Sequence, residues 1–321
     1  MKQYILKRIL QMIPAVIGIS LILFIIFALT PGDIISNNMD PHMTAERKAE
    51  LRAQYHLDQP KYVQYGYWLK GIITKGSFGE SFYYKRPVSS VMKEFIPNSF
   101  LLAVVSLVLG VVIAIPIGIV SATKQYSMFD KVFTVFALIG ISLPSFFFGL
   151  LLIERFGVVW KVLPFSGMTT PGTNYTGLKH VMDVLKHMIL PLIVLTLGSV
   201  AGWMRYTRSS MLEVIRQDYI RTARAKGLSE KVVIYKHALR NALIPVVTLI
   251  GFSLPGLFSG ATITETIFNW PGIGPIQLLA VNNRDYYLLM GLNMFLAVLT
   301  LIGNMIADVT YALVDPRVRL K

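Results

Sequence analysis

Six apolar stretches, near Ile9–Leu29, Phe100–Val120, Val132–Ile153, Met188–Met204, Leu243–Ile263 and Leu288–Ala307, contain no Asp, Glu, Lys or Arg. A hydrocarbon core takes about 20 residues of helix to cross. Inside it every backbone polar group must be satisfied within the protein, which restricts spanning segments to helices and closed barrels. Stretches of this length predict an all-α integral membrane fold with six transmembrane helices. The fourth stretch is the shortest and extends toward Tyr206. Composition agrees: 15% of residues are charged, against about 25% in soluble domains.

The loops set the orientation. Six spans put both termini on one side. With the termini inside, the inner segments hold 17 Lys and Arg against 6 acidic residues, and the outer ones 14 against 11. Basic residues near span ends favour the cytoplasmic side, so both termini are expected in the cytoplasm. The net charge of +14 is thus a matter of membrane side, and nucleic acid is not an expected partner. Lys2, Lys7 and Arg8 anchor the first span. The apolar run after them is too long, and Ala28-Leu29-Thr30-Pro31 too poor a cleavage site, for a removable secretory signal.

The expected layout is a cytoplasmic tip and first span over residues 1–30, and an extracellular loop or small subdomain over 31–95. A transmembrane core follows over 96–313, then a cytoplasmic tail over 314–321. Within the long outer loop, Thr44–Tyr55 opens on a Thr cap and mixes charges at helical spacing, which predicts a short surface helix. Val63–Ile73, with Tyr65, Tyr67 and Trp68, suits packing at a membrane interface.

Chemistry-bearing motifs are sparse. Gly71 and Gly76 have the separation of a phosphate loop, but Ser77 stands where Walker A needs Lys, so a turn is expected there. His42, His56, His180, His187 and His237 form no HExxH frame or HxxxH pair and are expected in loops or at interfaces. Ser142, Ser145, Ser253 and Ser259 lack a GxSxG elbow. With no cysteine there is no disulfide, thiolate metal site or cysteine nucleophile. No catalytic, metal or cofactor-binding residue is expected in this chain. Gly198/Gly202 and Gly256/Gly260 are spaced for close helix packing. Pro14, Pro116, Pro144, Pro191 and Pro255 each remove a helix hydrogen bond. They either shape their helices locally or let them splay around a passage.

The segment QDYIRTARAKGLSEKVVIYKHALRNALIP, Gln217–Pro245, is the most informative. It sits in a basic loop at 203–242, where Arg205, Arg208, Arg216, Arg221, Arg224, Lys226, Lys231, Lys236 and Arg240 face only Glu213, Asp218 and Glu230. It reads as a surface helix, a break at Gly227 suited to a C-terminal cap, and a second helix leading into the fifth span. Ala223 and Ala225 are small enough to let a partner approach closely, and the Arg and Lys residues suit an acidic protein surface. Anionic lipid is the competing occupant.

This segment closely resembles the cytoplasmic signature of ABC importer permeases of the oligopeptide/dipeptide family, whose members carry a similar YxRTARAKGL...HALRNAL.P run. The general importer pattern is Glu-Ala-Ala-x-x-x-Gly. Arg221, Thr222 and Ala223 stand in its first three places, so only the third and Gly227 match. Further landmarks follow in order: Thr30-Pro31-Gly32-Asp33, Leu57-Asp58-Gln59-Pro60 with Gln64-Tyr65, Gly76–Ser81, Arg205-Tyr206-Thr207-Arg208, Glu265–Gly274 and Asp308–Arg319.

The resemblance implies a type I importer-like permease of the first (B-type) kind, with a long extracellular loop after its first helix. It would form half of a passage with a second homologous permease subunit, two cytoplasmic ATPase subunits and an extracellular peptide-binding protein, within membrane lipid. ATP and Mg would be bound by those partners, since the chain has no nucleotide motif and is not itself an enzyme. Arg221, Thr222, Ala223, Arg224, Ala225, Lys226, Gly227 and Leu228 would couple it to an ATPase. Di- or oligopeptides are the cargo the match favours, with nickel, glutathione or a sugar as alternatives in the same importer class. A stand-alone secondary transporter or channel is the rival from another class, disfavoured by the charge-free spans.

Overall fold

The computed structural model describes residues 2–30 and 44–314. Pro31–Asp33, His42 and the tail from Asp315 lie outside the described residues. The helices are α1 (Lys2–Leu29), α2 (Ala45–Gln54), α3 (Lys61–Lys75), α4 (Val88–Thr123), α5 (Met128–Ser142) and α6 (Ser145–Leu152). They continue with α7 (Gly177–Ile215), α8 (Asp218–Ala225), α9 (Glu230–Val232), α10 (Leu239–Ile267), α11 (Ile273–Asn282) and α12 (Tyr286–Val314). Two π-helical stretches, Ile153–Val159 and Val233–Ala238, extend α6 and join α9 to α10. Among the described residues five helices are long and apolar enough to cross a membrane, or six if the bent pair at residues 128–159 is one span.

The chain divides into two units by contact. The first comprises Lys2–Ser99 and Pro271–Leu301. α1 runs through Pro14 and leaves Ile9, Ile13, Ile22 and Ile26 exposed, as suits a span facing lipid. Its buried Ser20 hydroxyl donates to the Ile17 carbonyl (2.7 Å) and lies 2.8 Å from the Tyr65 hydroxyl of α3. The aromatic stretch expected at an interface is thus partly a docking face for the first span. α2 starts as its sequence demands, with the Thr44 hydroxyl accepting from the Arg47 N–H (3.3 Å). The would-be phosphate loop is a turn: Gly76 caps α3 in the left-handed region at φ +60°. It leads into β1 (Glu80–Ser81), antiparallel to β2 (Arg86–Pro87). Asp285, fully buried, accepts from the Ser81 hydroxyl, the Tyr83 N–H (3.1 Å) and the Leu288 N–H (3.2 Å), so one carboxylate fastens the hairpin to the start of α12. Val88, Val91, Ile273, Ile276, Leu288 and Leu292 form the core beneath it.

The second unit comprises Phe100–Trp270 and α12 from Ile302. α7 is its central element and buries Met188, Leu190, Ala201, Met204 and Met211. It runs uninterrupted through Pro191, and α4 likewise continues through Pro116. Pro144 behaves differently. α5 and the helix from Ser145 to Val159 are together long and apolar enough to cross a membrane but are bent by 104°, so the stretch Val132–Ile153, expected as one span, is a broken helix. Leu143 is extended (ψ 125°), the conformation that a following proline imposes.

Three other expectations change. His187, expected in a loop or interface, is buried in α7 with Nδ1 2.8 Å from the Asp183 carbonyl. The fifth expected span, α10, runs past Ile263 to Ile267 and takes in Glu265, which is buried. Gly198 and Gly202, expected to pack closely, would meet nothing within 4 Å if given a Cβ. The close approaches lie elsewhere: a Cβ on Gly118 would stand 2.6 Å from Thr207 Cβ, and one on Gly110 would stand 2.6 Å from the Trp203 ring. Small-residue spacing marks where helices can approach, and the packed neighbours decide where they do.

Candidate functional site

The basic loop is ordered from its own sequence. α7 ends at Ile215, and Gln217 is extended (ψ 150°) ahead of α8. Asp218 stands in the first turn of α8 and Arg224 in its last, each placed favourably on the helix dipole. Ile220 and Ala223, three apart on one face, are buried. They pack into a cluster with Ile119, Ala122, Met211, Val233, Ile234, Ala238 and Ala242. Arg221, Thr222, Arg224, Ala225, Lys226, Gly227 and Leu228 face outward.

The chain then reverses. Gly227 adopts φ +76° and its N–H donates to the Arg224 carbonyl (2.9 Å), while the Lys226 N–H donates to Thr222 (3.1 Å). A Cβ at Gly227 would meet nothing within 4 Å. Glycine is therefore favoured there by backbone conformation and not by crowding within the chain. Across the turn the Arg224 guanidinium grips both carboxylate oxygens of Glu230 (3.1 and 2.8 Å), which raises the Arg224 pKa further above its ordinary value. The Asn241 amide donates to the Tyr219 hydroxyl (2.8 Å), and the Ser210 hydroxyl to the Ala242 carbonyl (2.8 Å). α8 is thus held at its face, its end and its flank. Arg216, Arg221, Lys226, Lys231, Lys236 and Arg240 remain on the exposed surface. Asp218 lies 3.6 Å from Arg221 with both side chains largely in solvent, where such a pair contributes about 0–1 kcal/mol.

All eight residues singled out from the sequence fall on this one helix-and-turn, but they do not share one environment. Ala223 was expected to admit a partner. It is small because it lies against the chain's own helices, and Ala225 is the outward alanine.

Sequence reasoning missed the anchor next to this site. Asp130, buried in the first turn of α5, receives Nε and Nη2 of Arg208 at 2.6 and 2.8 Å, the Ser121 hydroxyl at 3.0 Å and the Tyr126 N–H at 2.9 Å. One carboxylate joins α4, α5 and α7, the last through Arg208, ten positions before α8 begins. The available signal was Ser127-Met128-Phe129-Asp130, a helix-start pattern in which the Ser127 hydroxyl accepts from the Asp130 N–H (3.3 Å).

Comparison with known proteins matches this chain over most of its length. Residues 114–320 fit the family described as "Binding-protein-dependent transport system inner membrane component", and residues 1–103 fit its N-terminal counterpart. The oligopeptide transport system permease protein AppB of Bacillus subtilis is 42% identical over 99% of both chains. The dipeptide transport system permease protein DppB of Escherichia coli K12 is 38% identical over the full length of both. Among solved structures, a chain of the inward-facing MetNI methionine ABC transporter aligns with 69% of this chain and 97% of its own, at 16% identity and a TM-score of 0.52. A chain of an amino acid ABC transporter aligns at a TM-score of 0.51 and 13% identity, covering 70% of this chain and 94% of its own.

Proposed function

The chain belongs to the binding-protein-dependent transport system inner membrane component family, a multi-pass membrane component of transport systems and not an enzyme, and from that premise we propose that it is a peptide importer's permease subunit. It forms half of a passage for di- or oligopeptides, with a second homologous permease subunit as the other half. An extracellular binding protein delivers cargo, and two cytoplasmic ATPase subunits supply the energy, with ATP and Mg held by them. Both termini and the α8 turn face the cytoplasm. The outer surface that meets the binding protein is drawn from residues 31–95 and 265–285.

The observation that carries this reading is the exposed, basic, conformationally fixed turn from Arg221 to Leu228 on a chain 42% identical to an oligopeptide permease. A rigid helix docked by Ile220 and Ala223 to its own bundle transmits displacement. When ATPase subunits close on each other, α8 carries that motion into α7 and α10, and the passage alternates its opening as packed elements shift as bodies. The outward cations suit an acidic rim on the ATPase surface.

The test is co-expression with the neighbouring transport components, purification and reconstitution. Stoichiometric ATPase recovery and ATP-dependent uptake of labelled peptide support the proposal. ATP-independent uptake by the purified chain alone refutes it, and uptake restricted to nickel, glutathione or a sugar retains the importer but replaces its cargo.

A further inference from the structure

The break in the third span lies on a cavity of about 460 Å³ within the second unit. Gly140, Ile141 and Leu143 at the end of α5 line it, with Ser145 at the start of α6 and Gly198 and Ser199 from α7. Gly140 packs against Leu197 and Ala201, close to the midpoint of α7. A 15-residue α5 rises about 22 Å, so the break falls within the depth of a hydrocarbon core of about 30 Å.

In an unbroken helix the carbonyls of Gly140, Ile141 and Leu143 would accept from residues 144, 145 and 147. Pro144 has no N–H, and the 104° bend carries the other donors away. The first α6 bond runs from the Phe148 N–H to the Pro144 carbonyl (3.1 Å). Unpaired backbone at membrane depth is tolerated only where it lines a watered cavity or is buried in protein. The hydroxyls nearby add acceptors: Ser106 and Ser199 donate to their own helices, to Ala103 (2.9 Å) and Leu195 (3.4 Å), leaving oxygen lone pairs free. Among the described residues lining the cavity none is charged.

We propose that the break at Leu143–Pro144 and the cavity beside it form a subsite of the passage that binds the main-chain N–H groups of an extended peptide. This rests on the peptide-importer reading above. Carbonyl and hydroxyl acceptors recognise what every peptide presents, while the uncharged walls, with Phe148 and Leu195, select no side-chain charge. Cargo is thereby recognised as peptide and not by its sequence.

Gly198 gives the first arm of the test. A Cβ there meets nothing within 4 Å, so Gly198→Leu grows into open space. In the intact transporter, reconstituted with its binding protein, this variant is expected to slow tetra-alanine uptake about tenfold or more, with the second permease subunit still recovered in the purified complex. Loss of the second permease subunit from the purified complex would instead assign the open glycine face to subunit pairing and overturn the proposal. The second arm leaves the protein unaltered. Tetra-alanine N-methylated at its main-chain amides, supplied at equal occupancy of the binding protein, is expected to cross about tenfold more slowly, as lost hydrogen bonds of this kind predict. Equal rates overturn the proposal. If the wild-type complex moves no peptide at all, the peptide reading falls with it; if it moves both peptides equally, only the subsite falls.

Discussion

Replacing Gly227 separates local conformational strain from a partner's footprint. The residue sits at φ +76° with no atom within 4 Å of a built Cβ. In the chain alone, Gly227→Ala and Gly227→Trp therefore incur the same left-handed strain, about 1–2 kcal/mol, with no clash at Cβ in either. That is a small part of the 5–15 kcal/mol typical of a folded domain, so both variants are expected to insert and fold. Their thermal midpoints should lie roughly 2–4 °C below wild type. Gly227→Asn should lose less, because Asn tolerates this region. If an ATPase subunit closes over the turn, the indole must displace it while the alanine methyl need not. ATPase recovery and peptide uptake are then expected to fall by about two orders of magnitude for Trp, equivalent to about 2.7 kcal/mol, and by less than tenfold for Ala. Pull-down of the ATPase and proteoliposome uptake read these effects, with detergent melting curves as the stability control. Wild-type uptake by Gly227→Trp would refute the docking argument. Equal losses for Ala and Trp would reduce the effect to the backbone.

Asp130→Ala leaves the Arg208 guanidinium partly buried without its carboxylate, a change expected to destabilise the chain by about 3–5 kcal/mol; in melting experiments, the pair Asp130→Leu with Arg208→Met should recover most of it. Gly118→Ala drives a methyl to 2.6 Å from Thr207 Cβ and 2.9 Å from the Met204 carbonyl oxygen, which is expected to cost about 1–3 kcal/mol. Gly202→Ala, with open space around it, should be neutral or stabilising in the same assay. Tyr55, whose hydroxyl donates to Glu80 (2.9 Å), has its pKa pushed up to about 12 by burial and then by that carboxylate. The folded state favours the neutral phenol, so this stabilisation is complete below pH 10, the ordinary value, and is lost as the pH rises toward 12. Comparing the alkaline ultraviolet titration with that of Tyr55→Phe should isolate a tyrosine ionising near 12, and one ionising near 10 would contradict it.

Signals carried by neighbouring residues were legible from the chain. Hydropathy located the spans because transfer into lipid depends on the composition of some 20 consecutive residues. Thr44 and Gly227 announced a helix start and a helix end because a cap is a contact within four positions. The candidate site was found for the same reason: its cations and its glycine lie on one short segment. Which alanine faces inward could not be read, since Ala223 and Ala225 differ only in the neighbours that Ile119 and Met211 supply from other helices.

Long-range pairing belonged to the tertiary structure. Asp130 and Arg208 stand 78 positions apart, and Asp285 meets Ser81 across 204. No local period records either partner. Pro116, Pro144 and Pro191 remove the same hydrogen bond by the same chemistry, yet α4 and α7 continue through theirs while the third span turns by 104°. Proline permits a break, and the surrounding packing decides whether one occurs. The sequence by itself determined that this chain lives in a membrane and carries a basic turn at Gly227, because lipid transfer and backbone dihedrals are local physics. Only the tertiary structure decided which glycines are crowded, which carboxylates hold helices together and where the broken span opens onto a cavity, because those depend on atoms brought together from distant parts of the chain.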